Sequence, residues 1–192
     1  LDEAEPDDII LINDVDEIPN LKEVNFKKIN KKIIIFKQKM FYYKFNLHYD
    51  LIPWFGSRAC TIRRLVTPTW LRYIKAKKYS LLRIDSWLSK TRYNSVKIIE
   101  NGGWHFSNVK SPEDIEKKLF NFGHHNEVEE SGIDLEKIKE MVREKKIYYD
   151  HLLDKTQQKH RIEGYELKKL DFSELPSYLI KNYETYKKWF DN

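Results

Sequence analysis

Short aliphatic runs broken by clusters of charge set the rhythm of the chain. Ile9-Ile10-Leu11-Ile12, four aliphatic residues bounded by acids on both sides, predicts a strand buried on both faces, as in a sheet covered by helices. Asn20 to Ile29 carries Leu21, Val24, Phe26 and Ile29 at roughly helical spacing. Ile33-Ile34-Ile35-Phe36 reads as a second buried strand, and the aromatic run Phe41-Tyr42-Tyr43-Lys44-Phe45 as a strand that pairs with it in a hairpin. Asp50 to Gly56, with Pro53 and Gly56 around Trp54-Phe55, reads as a loop of the kind that lines sites. It leads into a strand over Ser57 to Ile62, and Pro68 then precedes a short helix over Thr69 to Ala76.

A further strand is predicted from Val96 to Glu100, followed by the tight turn Asn101-Gly102-Gly103 and by Trp104-His105-Phe106-Ser107. The best-marked helix opens at Ser111 as N-cap, with Pro112 in its first turn and Asp114 completing a capping-box-like arrangement. Ile115, Leu119 and Phe122 form its inner face and Gly123 stops it. Asp134 to about Leu153 has the spacing of one long amphipathic helix, and Leu175-Pro176 introduces a last one running through Trp189. No repeat, low-complexity tract or clear linker interrupts the chain. The expectation is one α/β domain over residues 1–192, a mixed sheet flanked by helices with a helical C-terminal third.

Composition narrows the function classes. With 41% hydrophobic residues in 192, the chain can bury a proper core, and no segment approaches the roughly 20 apolar residues that cross a bilayer. It reads as soluble, cytoplasmic or membrane-peripheral, with no membrane span. The net charge of +5 comes from Lys and Arg scattered in pairs along the chain, whereas nucleic-acid binders usually concentrate charge on one stripe with aromatic partners, so most of these pairs read as solvated helix faces and no nucleic-acid partner is expected. Cys60 is alone, which rules out an internal disulfide and Cys-based zinc sites; it reads as a small core residue. The 14% aromatic content serves the core and also suits stacking on the apolar faces of sugar rings.

The stretch with the most chemistry is Asn13-Asp14-Val15-Asp16-Glu17, directly after the first aliphatic run. If the chain stays extended, Asp14 and Asp16 point to the same side. Two adjacent carboxylates repel unless something positive lies between them, and a hard divalent cation such as Mg2+ or Mn2+ takes such oxygen ligands. Capping of the turn toward Pro19 explains the same residues without a metal. Arg58 could clamp a phosphate or carboxylate with its planar fork, or make a surface ion pair. His105, between two aromatics just after a sharp turn, reads either as a metal or phosphate ligand or as a hydrogen-bonded core residue. Of the adjacent His124 and His125, at most one reaches a site.

Taken in order, Asp8 to Pro19, Trp54-x-Gly56-x-Arg58, Gly102-Gly103-Trp104-His105-Phe106-Ser107 and Lys118-Leu119-x-x-Phe122-x-His124 resemble glycosyltransferase family 17, the family of the β-1,4-mannosyl-glycoprotein 4-β-N-acetylglucosaminyltransferases. The likeness covers about residues 7 to 127, with a weaker echo at Leu175-Pro176-x-Tyr178. It implies a GT-A-like, Rossmann-like fold and metal-dependent, inverting transfer of a sugar from a nucleotide-sugar donor, by implication UDP-GlcNAc, to a glycan or glycoconjugate acceptor. Asp14 and Asp16 would then hold Mn2+ or Mg2+ against the donor diphosphate, with His105 as a further ligand. Glu17 would orient the cluster, and Trp54, Arg58, Trp104 and His124 would line the donor or acceptor cleft. Inversion needs a carboxylate as base for the acceptor hydroxyl, for which Asp85, Glu100 and Asp50 are the candidates.

The resemblance also sets an expectation about extent. In a GT-A fold the βαβ units that hold the nucleotide precede the D-x-D strand, and here almost nothing does, so part of the N-terminal nucleotide-binding half is expected to be missing. Two other classes fit the same acids, histidines and aromatics: a metal-dependent phosphoesterase and a non-catalytic glycan-binding module.

Overall fold

The aliphatic runs fold as strands of a mixed sheet. The computed structural model describes residues 3–29, 32–77, 79, 82, 84, 88–89, 95–121, 134–149 and 161–192. The chain packs as two units, Leu1–Met40 with Ile52–His105, and Phe41–Leu51 with Phe106–Asn192. It is an α/β protein, and among the described residues no helix is long and apolar enough to cross a membrane.

The strands β1 (Ile9–Ile12), β2 (Glu17–Pro19), β3 (Ile33–Phe41), β4 (Leu47–Thr61), β5 (Val96–Ile99) and β6 (Gly103–Phe106) form a sheet of order β1-β4-β3-β6-β2, with β5 also on β3; all of their residues but Phe41, Leu47–Leu51 and Phe106 belong to the first unit. β1 runs antiparallel to β4, Ile9 opposite Thr61 and Ile12 opposite Arg58. β5 runs parallel to β3 with Ile33 opposite Val96, and β2 antiparallel to β6 with Glu17 opposite His105. Both faces of the central strands are covered. Ile33, Ile35, Cys60 and Val96 pack with Leu71 and Ile74 on one face, while Ile34, Phe36, Ala59 and Ile99 meet Val24, Phe26 and Ile29 on the other. Cys60 is thus the core residue its sequence context indicates.

The sheet curls. Laid flat at ~4.8 Å per strand, β1 and β2 would stand roughly 19 Å apart. They are joined by Asn13–Asp16, which includes a hydrogen-bonded turn, Glu17 N–H to Asp14 O at 3.1 Å. A turn keeps its ends within ~7 Å and the two preceding steps add at most ~7 Å, so the two edges must approach.

Several expectations are corrected. β1 is an edge strand with Ile9 exposed, so it is covered less fully than four aliphatic residues suggest. Asn20–Ile29 is not an α-helix but two 3-10 turns, Leu21–Glu23 and Phe26–Lys28, each opened by an Asn and closed by a β-branched residue in extended conformation. The hairpin expected between Ile33–Phe36 and Phe41–Phe45 does not form: Lys37-Gln38-Lys39-Met40 alternates half-buried with buried and continues β3 to Phe41. Residues 50–56 are strand, not loop. Pro53 is accommodated there because it falls between the stretches of β4 that pair with β9 at Leu47–His48 and with β1 at Arg58–Thr61. Helix α1 is Pro68–Tyr73, shorter than expected, with the Thr67 hydroxyl accepting from Trp70 N–H at 3.0 Å.

In the second unit, helix α2 (Pro112–Asn121) opens as its sequence predicts, Ser111 accepting from Asp114 N–H at 3.2 Å. Its expected stop, Phe122-Gly123, and His124 and His125 lie outside the described residues. Helix α3 is Leu135–Glu144 and does not run on to Leu153. It ends on Lys145 in the left-handed conformation, after which β7 (Lys146–Tyr149) pairs antiparallel with β8 (Arg161–Glu166). β9 (Lys168–Lys169) pairs with the start of β4. The C-terminal third is therefore mixed rather than helical, and its last predicted helix is divided into α4 (Ser177–Lys181), α5 (Tyr183–Tyr186) and a 3-10 turn at Lys187–Trp189. An aromatic cluster of Phe45, Phe106, Phe172, Tyr183 and Phe190 packs this region.

Candidate functional site

Curling of the sheet brings polar side chains from four strands of the first unit to one place. Glu17 on β2 is the centre, only 6% exposed. One carboxylate oxygen accepts the Trp54 indole N–H at 2.8 Å; the other accepts the Ser57 hydroxyl at 3.0 Å and the Asp14 backbone N–H at 3.3 Å. Gln38 of β3 donates in turn to the Ser57 oxygen at 3.1 Å. Both β4 partners come from the segment Trp54-Phe55-Gly56-Ser57. Gly56 has a packing reason to lack a side chain, since a Cβ there would lie 2.0 Å from Gln38 Oε1 and 2.5 Å from Glu17 Oε1.

His105 sits across from Glu17 on β6 and is equally buried. Its ring stacks on Trp54 at a centroid distance of 4.4 Å and an interplanar angle of 20°. Nε2 lies 3.4 Å from an Asp16 carboxylate oxygen, and Nδ1 is buried with no hydrogen-bond partner. β6 approaches β2 this closely because Gly103, at φ 118°, has no Cβ; one would stand 2.1 Å from Ile18 O.

The acidic stretch is a turn, which corrects the extended geometry expected for it. Asn13 Nδ2 donates to Asp14 O, the Glu17 carboxylate caps Asp14 N–H, and Val15 is fully exposed at the tip. The two aspartates consequently have different partners: Asp14 makes an ion pair with Arg72 at 2.5 Å, and Asp16 faces His105.

Beside the turn lies an open cleft of about 210 Å³, lined among others by Asp14, Glu17, Trp54, Arg58, Arg72 and Tyr73. Arg58 donates to Ile74 O at 3.3 Å and to Gly56 O at 2.5 Å. Burial draws its pKa below the usual guanidinium value; the charges of Glu17 and Asp14 oppose that shift, and Arg72 adds to it.

Of the site residues expected from sequence, Asp14, Asp16, Glu17, Trp54, Arg58 and His105 are brought together. Trp104 alternates to the face opposite His105. Glu100 is exposed and paired with Lys37 at 2.9 Å. Asp50 belongs to the second unit, where Tyr165 and Lys168 both hydrogen-bond its carboxylate; burial favours protonation, but these bonds outweigh it and hold the pKa below the ordinary value. Asp85 and His124 lie outside the described residues. Sequence reasoning missed Arg72, Tyr73, Ser57 and Gln38. For Ser57 the signal was available in its place between Gly56 and Arg58; for Arg72 there was none, because its partner is distant in sequence.

Two carboxylates on one turn are the oxygen donors that a hard divalent cation takes; His105 faces Asp16 through Nε2, and its unpartnered nitrogen is Nδ1. Among the described residues no three His, Cys, Asp or Glu side chains converge as a ready-made cage. Asp14 and Asp16 are the residues that would hold such an ion. Comparison with protein-family models, with curated proteins and with solved structures finds no match to the chain.

Proposed function

We propose that the cleft beside the Asp14–Glu17 turn is the donor site of a metal-dependent, inverting glycosyltransferase of GT-A type, acting on a UDP-sugar, UDP-GlcNAc by resemblance, and on a glycan acceptor. The observation that carries this reading is the convergence of three of its four motif segments. Asp14-Val15-Asp16-Glu17, Trp54-x-Gly56-x-Arg58 and Gly103-Trp104-His105 are far apart in sequence, yet Glu17 is hydrogen-bonded to Trp54 and lies opposite His105.

In this reading Asp14 and Asp16 hold Mn2+ or Mg2+. The ion, when bound, offsets the charge that develops on the departing diphosphate. Glu17 fixes the turn through the Asp14 N–H, and the Trp54 ring keeps His105 against Asp16. Arg58 offers its remaining N–H groups to anionic oxygens of the donor.

The test is to incubate the protein with a panel of nucleotide sugars and Mn2+ and follow binding and nucleoside diphosphate release, in the parent chain and in Asp16→Ala. The expected result is metal-dependent binding of UDP-sugars, lost in the variant while its circular dichroism is unchanged. Undiminished transfer by Asp16→Ala refutes the proposal. Phosphate release from simple esters would assign the site to a phosphoesterase, and glycan binding without nucleotide binding to a carbohydrate-binding module.

A further inference from the structure

Two guanidinium groups line the cleft, and their situations differ. Arg58 is half-buried, fixed by two backbone carbonyls, and makes no ion pair with a carboxylate among the described residues. Two hydrogen bonds leave part of its five-donor fork unused. Arg72, in the last turn of α1, is paired with Asp14, and this pair is open to solvent, with side chains 53% and 36% exposed. Exposed ion pairs are weakly held and readily exchanged. Asp14 therefore neutralises Arg72 in the present arrangement, and the same carboxylate is one that a divalent cation would need.

We propose that Arg72 is a phosphate-binding residue held in reserve: a cation that takes Asp14 releases the Arg72 guanidinium to join Arg58 on the phosphate groups of the ligand. The proposal rests on the donor-site reading above and adds a residue and a coupling to it. Without Asp14 as counter-ion, two cationic forks share one cleft, an arrangement that an anion relieves. Cation and anion then bind cooperatively because one charge exchange serves both.

The decisive experiment separates the exchange from the metal. Binding of UDP is measured by titration calorimetry in the presence of EDTA, using the parent chain, Asp14→Asn, Arg72→Gln and the double variant, with thermal unfolding as the check on folding. Asp14→Asn frees Arg72 without a cation, so it is expected to bind metal-free UDP about tenfold more tightly than the parent, within the range of coupling between linked sites. Adding Arg72→Gln is expected to abolish the gain. In the converse arm, Arg72→Gln removes the competitor for Asp14, and the free Mn2+ signal in electron paramagnetic resonance falls at lower protein concentration than with the parent.

A gain that persists in the double variant is a general charge effect and overturns the proposal. So does the absence of any gain while the parent binds UDP with Mn2+, an outcome that leaves the donor-site reading standing. No UDP binding by the parent with Mn2+ and none by Asp14→Asn without it overturns both.

Discussion

Replacing Glu17 by Gln keeps the shape of the side chain and changes its charge and its hydrogen-bonding capacity. The carboxylate accepts from Trp54 Nε1–H, Ser57 Oγ–H and Asp14 N–H. An amide has one oxygen that accepts and one NH2 that only donates. With its oxygen toward Trp54, the NH2 confronts the Ser57 hydroxyl, which can rotate, and the Asp14 amide, which cannot. With the amide reversed, the indole N–H loses its acceptor. In either orientation one donor is left unpaired, and the surviving bonds are to a neutral acceptor. Hydrogen bonds to charged groups contribute about 1.5–3 kcal/mol and neutral ones about 1 kcal/mol, so the expected loss is about 2–4 kcal/mol. At ~2–4 °C per kcal/mol for a chain of this size, the melting temperature falls by about 4–16 °C. Near-UV circular dichroism during thermal unfolding at neutral pH measures it. Ser57→Ala should cost less, and less again in the Glu17→Gln background, where only the bond it accepts from Gln38 is still to be lost. A fall below about 2 °C, or full additivity of the two substitutions, would refute the network as the anchor of this turn.

Gly56→Ala places a methyl group against Gln38 Oε1 and the Glu17 carboxylate, both buried, on side chains that are held through Gln38 Nε2 and through both Glu17 oxygens. Overpacking at about 1–3 kcal/mol and loss of the Gln38–Ser57 bond at about 1 kcal/mol lower the urea midpoint by the equivalent of about 2–4 kcal/mol with the slope unchanged. Asp50→Asn tests the second unit. Because the folded pKa of Asp50 lies below 3.8, its stabilisation is fully present above that pH and is lost as pH falls through the folded value. The deficit of the variant is thus expected to be constant from neutral pH to about 5 and to close on further acidification, read as melting temperature against pH; a deficit that grows in acid contradicts it.

How much of this was legible in the sequence depended on the range of the deciding interaction. The strand cores at Ile33–Phe36 and Val96–Ile99 and the Ser111 cap declare themselves within a few residues and are as expected; Asn101–Gly103 is a bend rather than the tight turn expected, its Gly102 N–H bonded to Lys37 O on the neighbouring strand. The ends of elements were settled elsewhere. Whether β3 stops at Phe36 or runs to Phe41 depends on Lys37–Met40 having partner strands, and α3 stops at Lys145 because Lys146–Tyr149 has β8 to pair with. The site shows the same division. Its acids, tryptophan and histidine stood out by type and motif, whereas Arg72 and Gln38 gain their roles only from the curl of the sheet.

The acidic turn shows what such a curl changes in a charge argument. Read as extended chain, Asp14 and Asp16 share a face, and their repulsion calls for a cation between them. Folded as a turn, they have separate partners, Arg72 for one and His105 for the other. The Arg72 charge offsets that of Asp14, so a metal ion here would not fill an unmet need; it would have to displace an existing partner. That makes affinity at this site a difference between two sets of contacts. On the proposed reading Arg72 would be as much a determinant of cation binding as either aspartate, and the cation would bind most favourably with an anionic ligand present to receive the displaced guanidinium.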